Sequence, residues 1–299
     1  MSHDQAAPDL RNADDKAPGG GRRRAGRDRH RDGKGAKSQR DPSKMIDVAR
    51  EKIEAKRWKE AVSMLKRAQS ADRNNGVVVA LLALCYLYQR KLVDCRKLMK
   101  RALEMAPLEP EVHLIHGKVL HNFGEMDASA NAYTYALHLK PDYGDAFREL
   151  AVLLIDAGVL DQATEALITA VKLNPKDAVA YYHLGLIKKK QNLDEAEAML
   201  ERAVKLRPRD GYIVDSLGWV YYRLGRYEEA VTQLERAVEL RPQDPTINDH
   251  LGDAFWQVGR KHEARFQWHR ALSLEPEEDQ VPVIEKKIKE GLVAPPEDI

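Results

Sequence analysis

His113, His116 and His121 form the tightest group of chemically versatile side chains in the sequence, and a metal ion is the chemistry such a group suggests. His113 and His116 could share one helix face. Glu111 lies off that face, so no carboxylate completes a ligand set. Two of the three histidines fall on the packing side of their helix, the pattern of partly buried, hydrogen-bonded side chains. The only two cysteines, Cys85 and Cys95, have no CxxC or Cys/His cluster around them and sit inside apolar helical pattern. They read as small buried hydrophobes in a reducing compartment. Gly19–Gly21 run into arginines rather than a strand–helix junction, so they mark flexibility and not a phosphate loop. No Ser/His/Asp or Cys/His set has a motif around it. The expectation is a protein that is not an enzyme and needs neither cofactor nor metal.

The remaining chemistry is recognition, and its scaffold shows in the prolines. Pro107, Pro141, Pro175, Pro208, Pro242 and Pro276 recur at steps of 34, 34, 33, 34 and 34 residues. A fixed period in this range means one supersecondary unit copied end to end. Residues 211–244 show the unit. Val214, Leu217, Gly218 and Tyr221 follow helical spacing, Gly225 breaks the helix, and Ala230, Leu234, Ala237 and Val238 stripe a second one. Arg241-Pro242 stops it, because proline cannot continue a helix and pushes its predecessor toward extended geometry. Each unit is a helical hairpin.

The same pattern predicts seven repeats, over 42–75, 76–109, 110–143, 144–177, 178–210, 211–244 and 245–278. Arg73 stands in proline's place in the first, and the fifth is one residue short at its inter-helix turn. Small residues such as Gly218 opposite Ala230, or Gly252 opposite Ala264, are expected to let helix backbones approach. Asp41-Pro42 reads as a helix start. Residues 279–299 supply a capping helix, with Val281, Ile284, Ile288 and Leu292 on one face, and a short tail with Pro295-Pro296.

The order apolar/aromatic, Leu-Gly, Tyr, Ala, aromatic, Pro over 34 residues resembles the tetratricopeptide repeat, and it covers residues 42–278. The last two units, DSLGWVYYRLGRYEEAV and HLGDAFWQVGRKHEARFQW, also resemble C-terminal repeats of bacterial tetratricopeptide adaptor proteins. The resemblance implies an all-α, right-handed superhelical solenoid whose first helices line the concave surface, and a scaffold or adaptor that binds a protein segment there. Family members that clamp acidic chaperone C-termini use Lys and Asn where this chain has residues such as Asp47, Leu81 and Ile115, so that specificity is not expected. The asparagine ladder of glycosyltransferase-linked repeats is replaced by His183, Ser216 and His250.

Periodicity then separates the packing side of each first helix from the side free to bind. The free side carries Tyr212, Asp215, Trp219 and Tyr222 in the sixth repeat and Asp249, Asp253 and Trp256 in the seventh, an aromatic and acidic surface. Upstream it carries Arg148, Lys118, Leu84 and Tyr88. Aromatic rings beside carboxylates suit partner contacts, since Tyr and Trp bury much area at little cost in side-chain freedom. Trp219 and Trp256 could instead pack against the neighbouring repeat. The second repeat's first helix is apolar all round, so it either gives the N-terminal half of the groove an apolar lining or is covered by its neighbours or by a second copy of the chain.

Charge divides unevenly. Residues 1–41 hold eleven Lys/Arg and seven Asp, and the other 258 hold 38 basic and 40 acidic side chains. GRRRAGRDRHRDGKGAKSQR has no hydrophobe larger than Ala, so residues 1–41 are expected to be a disordered basic tail. Residues 22–40 could touch nucleic acid or an anionic membrane by counterion release, which would make the protein a tether. A regulatory subunit of an enzyme, envelope or motility complex is a further alternative. No apolar run reaches the roughly 20 residues of a membrane span, and no secretory signal or lipobox is evident, so the expected location is cytoplasmic, at most peripheral to a membrane through a partner.

Overall fold

The computed structural model describes residues 41–292, and among them there are fifteen helices and no strand. In chain order these are α1 (Pro42–Glu54), α2 (Trp58–Ala71), α3 (Gly76–Tyr88), α4 (Leu92–Met105), α5 (Pro110–Asn122), α6 (Met126–Leu139), α7 (Gly144–Asp156) and α8 (Leu160–Leu173). They continue with α9 (Ala178–Lys188), α10 (Leu193–Leu206), α11 (Gly211–Arg223), α12 (Tyr227–Leu240), α13 (Pro245–Gln257), α14 (Lys261–Ser273) and α15 (Val281–Glu290). Each odd helix from α1 to α13 packs most extensively on the even helix that follows it. Each even helix then packs on the next odd one, and α15 closes the series against α14. The fold is an all-α solenoid of stacked hairpins.

Local chemistry sets the helix ends. Asp41, Asn75, Asp177, Asp210 and Asp244 cap odd helices, each accepting from one or two first-turn backbone N–H groups. Proline follows the C-cap of α4, α6, α8, α10 and α12 directly, and the residue before it is extended, as at Lys140 (φ −139°, ψ 90°). The period is also stitched across repeats. Arg202 on α10 donates to the Pro175 carbonyl at 3.4 Å, and Arg236 on α12 donates to that of Pro208.

Within most hairpins one turn residue is left-handed. Gly124, Gly158, Gly225 and Gly259 take φ between 75° and 82°, and Lys56 (φ 57°) and Arg90 (φ 60°) hold the same register in the first two hairpins. A side chain there meets steric strain that glycine escapes. Arg90→Gly is therefore expected to raise stability by about 0.5–1 kcal/mol, read as a higher melting temperature, with Arg90→Val moving it the other way. The fifth hairpin, one residue shorter, has no left-handed residue. Asn192 instead caps α10, accepting from the Asp194 and Glu195 N–H groups.

The glycines inside the odd helices extend one expectation. Gly252 faces the Ala264 backbone, with the carbonyl 3.1 Å from a Cβ placed there, and these glycines also admit the large residue four positions beyond the alanine assigned to them. A Cβ on Gly218 would lie 2.7 Å from Leu234 Cγ, and one on Gly252 would lie 2.4 Å from the Trp268 ring. Gly117 and Gly185 accommodate Tyr133 and Leu200 in the same way. For α3 the expected cover by neighbouring helices is what the structure shows. Its burial comes from its own chain: Val79, Ala80, Leu81, Leu84 and Leu87 pack in one core with Ile46, Met99, Ile115 and Val119.

Candidate functional site

The odd helices share one face, and most of the polar residues on it are tied from repeat to repeat. On α7, Arg148 donates to Asp145 (2.8 Å), Glu149 (3.0 Å) and, across to the next hairpin, Asp177. Lys118 on α5 reaches Glu149 at 2.8 Å. Burial would raise the Glu149 carboxyl, but Lys118 and Arg148 outweigh it and hold it at about 2. Arg50 on α1 grips Glu111 on α5 through both carboxylate oxygens, at 3.1 and 2.7 Å.

Between these ties lies a cleft of about 740 Å³ across α1, α3, α5, α7 and α9. Leu81, Leu84, Leu114 and Ile115 form its apolar part, and Arg50, Glu111, Lys118, Arg148 and Glu149 line it with charge. Leu84 is buried and contributes only an edge. Tyr88 is half exposed and stacks on Trp58 with ring centroids 4.4 Å apart.

The C-terminal half is organised differently from the open aromatic and acidic surface expected of it. Trp219 is sandwiched between Tyr222 of its own helix (4.8 Å) and His250 of α13 (4.0 Å). His250 Nδ1 meets Asp215 Oδ1 at 2.8 Å. Burial works against the imidazolium, but Asp215, Asp249 and Asp253 outweigh it and raise the pKa of His250. Tyr222 is buried, its hydroxyl accepting from Gln257 at 3.3 Å. Asp253, also buried, accepts from the Trp268 indole N–H (2.9 Å) and from Lys287 of α15 (2.8 Å). Asp249 takes a second bond from Lys287 at 2.7 Å. Trp256 donates to the Leu292 carbonyl at 3.2 Å and lies so close to Gly291 that a Cβ there would meet its ring at 2.0 Å.

Asp215, Tyr222 and Asp253 are therefore packing and pairing residues, and Trp256 is covered by the capping segment. Of the C-terminal set only Tyr212 stands substantially exposed, with the Arg241 guanidinium 4.4 Å from its ring centroid. A cavity of about 600 Å³ remains between α13 and α15, walled in part by Trp219, His250 and Ile284. The helical wheel misses the ties between hairpins because they join residues about one repeat apart, 35 positions for Asp215–His250 and 34 for Asp253–Lys287. Complementary polar residues at that separation are the signal that could have revealed them.

The histidines do not converge. His113 Nε2 lies 2.7 Å from the Pro107 carbonyl oxygen and His121 Nε2 lies 2.9 Å from Asp156, while burial lowers the pKa of His116. Burial also pushes the Cys85 and Cys95 thiols up to about 12 and about 11. The basic residues 22–40, and Pro295-Pro296, lie outside the described residues.

Comparison with known proteins matches this architecture. A family model described as the C-terminal domain of cilia and flagella-associated protein 70 covers residues 96–285, more than half of the chain, and a tetratricopeptide repeat model covers residues 52–119. The chain belongs to the tetratricopeptide repeat family. A curated relative, tetratricopeptide repeat protein 8 of Caenorhabditis elegans, is 25% identical over 136 residues, 45% of this chain. The chain spans about a quarter (27%) of that relative's length.

Among solved structures, a chain of the APC/C hetero-tetramer Cut9–Hcn1 aligns with a TM-score of 0.65 at 17% identity, covering 86% of this chain and 48% of that one. Pseudomonas aeruginosa pilF aligns at 0.64 and 16% identity, covering 71% and 97%. Both are likenesses of fold. Tetratricopeptide repeat proteins are in general protein-interaction scaffolds, and among the described residues no helix is long and apolar enough to cross a membrane.

Proposed function

We propose that this protein is a non-enzymatic scaffold that holds a segment of a partner protein in the cleft across α1, α3, α5, α7 and α9. The observation that carries the reading is the cleft itself. Its volume of about 740 Å³ is bounded by odd helices and the connections beside them, with an apolar part at Leu81, Leu84, Leu114 and Ile115. The charged groups around it are already fixed by Arg50–Glu111, Lys118–Glu149 and Arg148–Asp177 pairs. A wall held in place before binding loses little side-chain entropy when a ligand arrives. Apolar contacts then supply affinity, and the paired rim supplies orientation.

Photo-cross-linking in the native cell tests this. A benzophenone amino acid placed at Glu54 or Lys176, exposed positions lining the cleft, is expected to trap a discrete partner. The same residue at Val93 or Phe266, exposed on even helices, is expected to trap none. Trapping at Val93 and Phe266 but not at Glu54 and Lys176 would overturn the assignment.

A further inference from the structure

Beside the cleft lies a smaller cavity of about 370 Å³, lined by Tyr88, Lys118, His121, Asn122, Tyr133 and Glu149. Tyr133 reaches it from α6, an even helix on the other side of the hairpin. Gly117 makes this possible, since a Cβ at that position would sit 2.4 Å from the Tyr133 ring. The ring is completely buried, yet its hydroxyl has no hydrogen-bond partner. Ser129, one turn earlier, lies near enough to influence that hydroxyl, but its own proton is given to the Gly117 carbonyl at 2.9 Å. A buried hydroxyl left unpaired costs about 1–3 kcal/mol, so its persistence asks for an explanation.

The chain contains its own comparison. Trp268 holds the same register in the last hairpin, and its N–H ends on the Asp253 carboxylate. The position of Asp253 is occupied in the third repeat by Lys118, which can only donate. Tyr133 and Lys118 thus present two donors to the cavity. Glu149 adds an acceptor: Lys118 and two of the three bonding nitrogens of Arg148, Nε and Nη2, converge on its Oε1. Lys118 and Glu149 cancel in charge. Tyr88, half exposed and stacked on Trp58, adds an aromatic wall.

We infer that this cavity is a specificity pocket of the groove and takes the side-chain carboxamide of an Asn or Gln in the partner segment. The inference rests on the groove reading above. The carboxamide oxygen accepts from the Tyr133 hydroxyl and the Lys118 ammonium, and its NH₂ donates to Glu149. A carboxylate would meet Glu149 as a like charge, and an aliphatic group would leave the Tyr133 hydroxyl orphaned. The carboxamide is neutral, planar, and carries both a donor and an acceptor, as the lining requires.

The test is an oriented library of synthetic ten-residue peptides, each position fixed in turn to every amino acid. It is probed with the full-length protein carrying the benzophenone residue at Glu54, so that binding in the cleft is registered separately from sequence preference. Peptides cross-linked at Glu54 are expected to favour Asn or Gln at one position by about fivefold to tenfold, the value of one buried hydrogen bond. Tyr133→Phe is expected to abolish that preference, leave the apolar preferences intact, and melt no lower than the wild type, because the lost hydroxyl had no partner. Cross-linked peptides with no carboxamide preference, or with an Asp/Glu preference, overturn the pocket assignment while leaving the groove standing. So does a preference that survives Tyr133→Phe, or a melting temperature that drops on that substitution. If no peptide cross-links at Glu54, the groove reading fails and this inference fails with it.

Discussion

Lys287→Met is expected to detach α15 and to cost about 3–5 kcal/mol at pH 8, the usual price of leaving buried charge without its partner. Lys287 binds Asp249 at 2.7 Å and Asp253 at 2.8 Å, and Asp253 is almost fully enclosed. Methionine keeps the length of the side chain and removes only the charge and its hydrogen bonds. Because a solenoid's stability is a sum of unit and nearest-neighbour terms, the loss falls on the last hairpin and its cap. Hydrogen exchange should therefore show α15 unprotected while α1 to α8 keep their wild-type protection. Uniform loss of protection along the chain would contradict a local tie.

The pH dependence follows from Asp253. Burial and the neighbouring Asp249 push its carboxyl up to about 6, even with Lys287 pulling it down. A carboxyl raised on folding contributes stability that is complete below its unfolded value of about 3.9 and is lost as pH rises through 6. Without Lys287 the carboxyl rises further. The deficit of Lys287→Met relative to wild type should therefore be small near pH 4.5 and grow as pH passes 6, measured by urea unfolding at both pH values. A deficit independent of pH would show that the ammonium is not what holds the two aspartates.

Arg148→Met is expected to be comparably damaging in the middle of the solenoid, with its pH dependence in a different window. Arg148 serves Asp145, Glu149 and Asp177 together, and Asp177, nearly buried, is also the cap of α9. Removing the guanidinium leaves Asp177 without a cation and Glu149 with Lys118 alone. The expected loss is again about 3–5 kcal/mol at neutral pH. Glu149 is held at about 2, below its unfolded value of about 4.3, so its contribution is present above pH 4.3 and lost as pH falls through 2. The wild-type advantage over Arg148→Met should therefore narrow on acidification below pH 4, where Lys287→Met also approaches wild type because Asp253 is protonated. Between pH 5 and 8 the two sites are distinguished by a deficit that grows for Lys287→Met and stays constant for Arg148→Met.

The hairpins were legible because helix formation and termination are local. The stripe Ala230, Leu234, Ala237 and Val238, the stop at Arg241-Pro242 and the break at Gly225 each act within a few residues, and α11 and α12 form where those signals put them. Partner choice across a hairpin was less legible. Gly252 does face the Ala264 backbone, but the crossing of α13 and α14 also sets the Trp268 ring over it, since opposition on two wheels does not fix the offset between two helices. The exposed face was the least legible part. Lys118, Arg148 and Asp215 reach beyond their own hairpin, and Asp253 bonds both its own hairpin at Trp268 and the cap at Lys287; a helical wheel assigns such residues to solvent. Their ends are taken up by the next hairpin or the cap, contacts between residues about a repeat apart.

The sequence by itself determined the all-α class, the period of the solenoid and the packing side of each helix, because those depend on short-range propensity and on apolar spacing. Only the tertiary structure decided which of the remaining polar residues are spent inside the protein and which are left to bind. Stacking brings one helix's free face against its neighbour's, and the distance of a few ångströms between them is fixed by the whole array. That is why Trp219 and Asp253, prominent in the sequence, turn out to hold the C-terminal half together. It is also why Tyr133, read only as a packing residue, ends at a cavity with its hydroxyl unpaired.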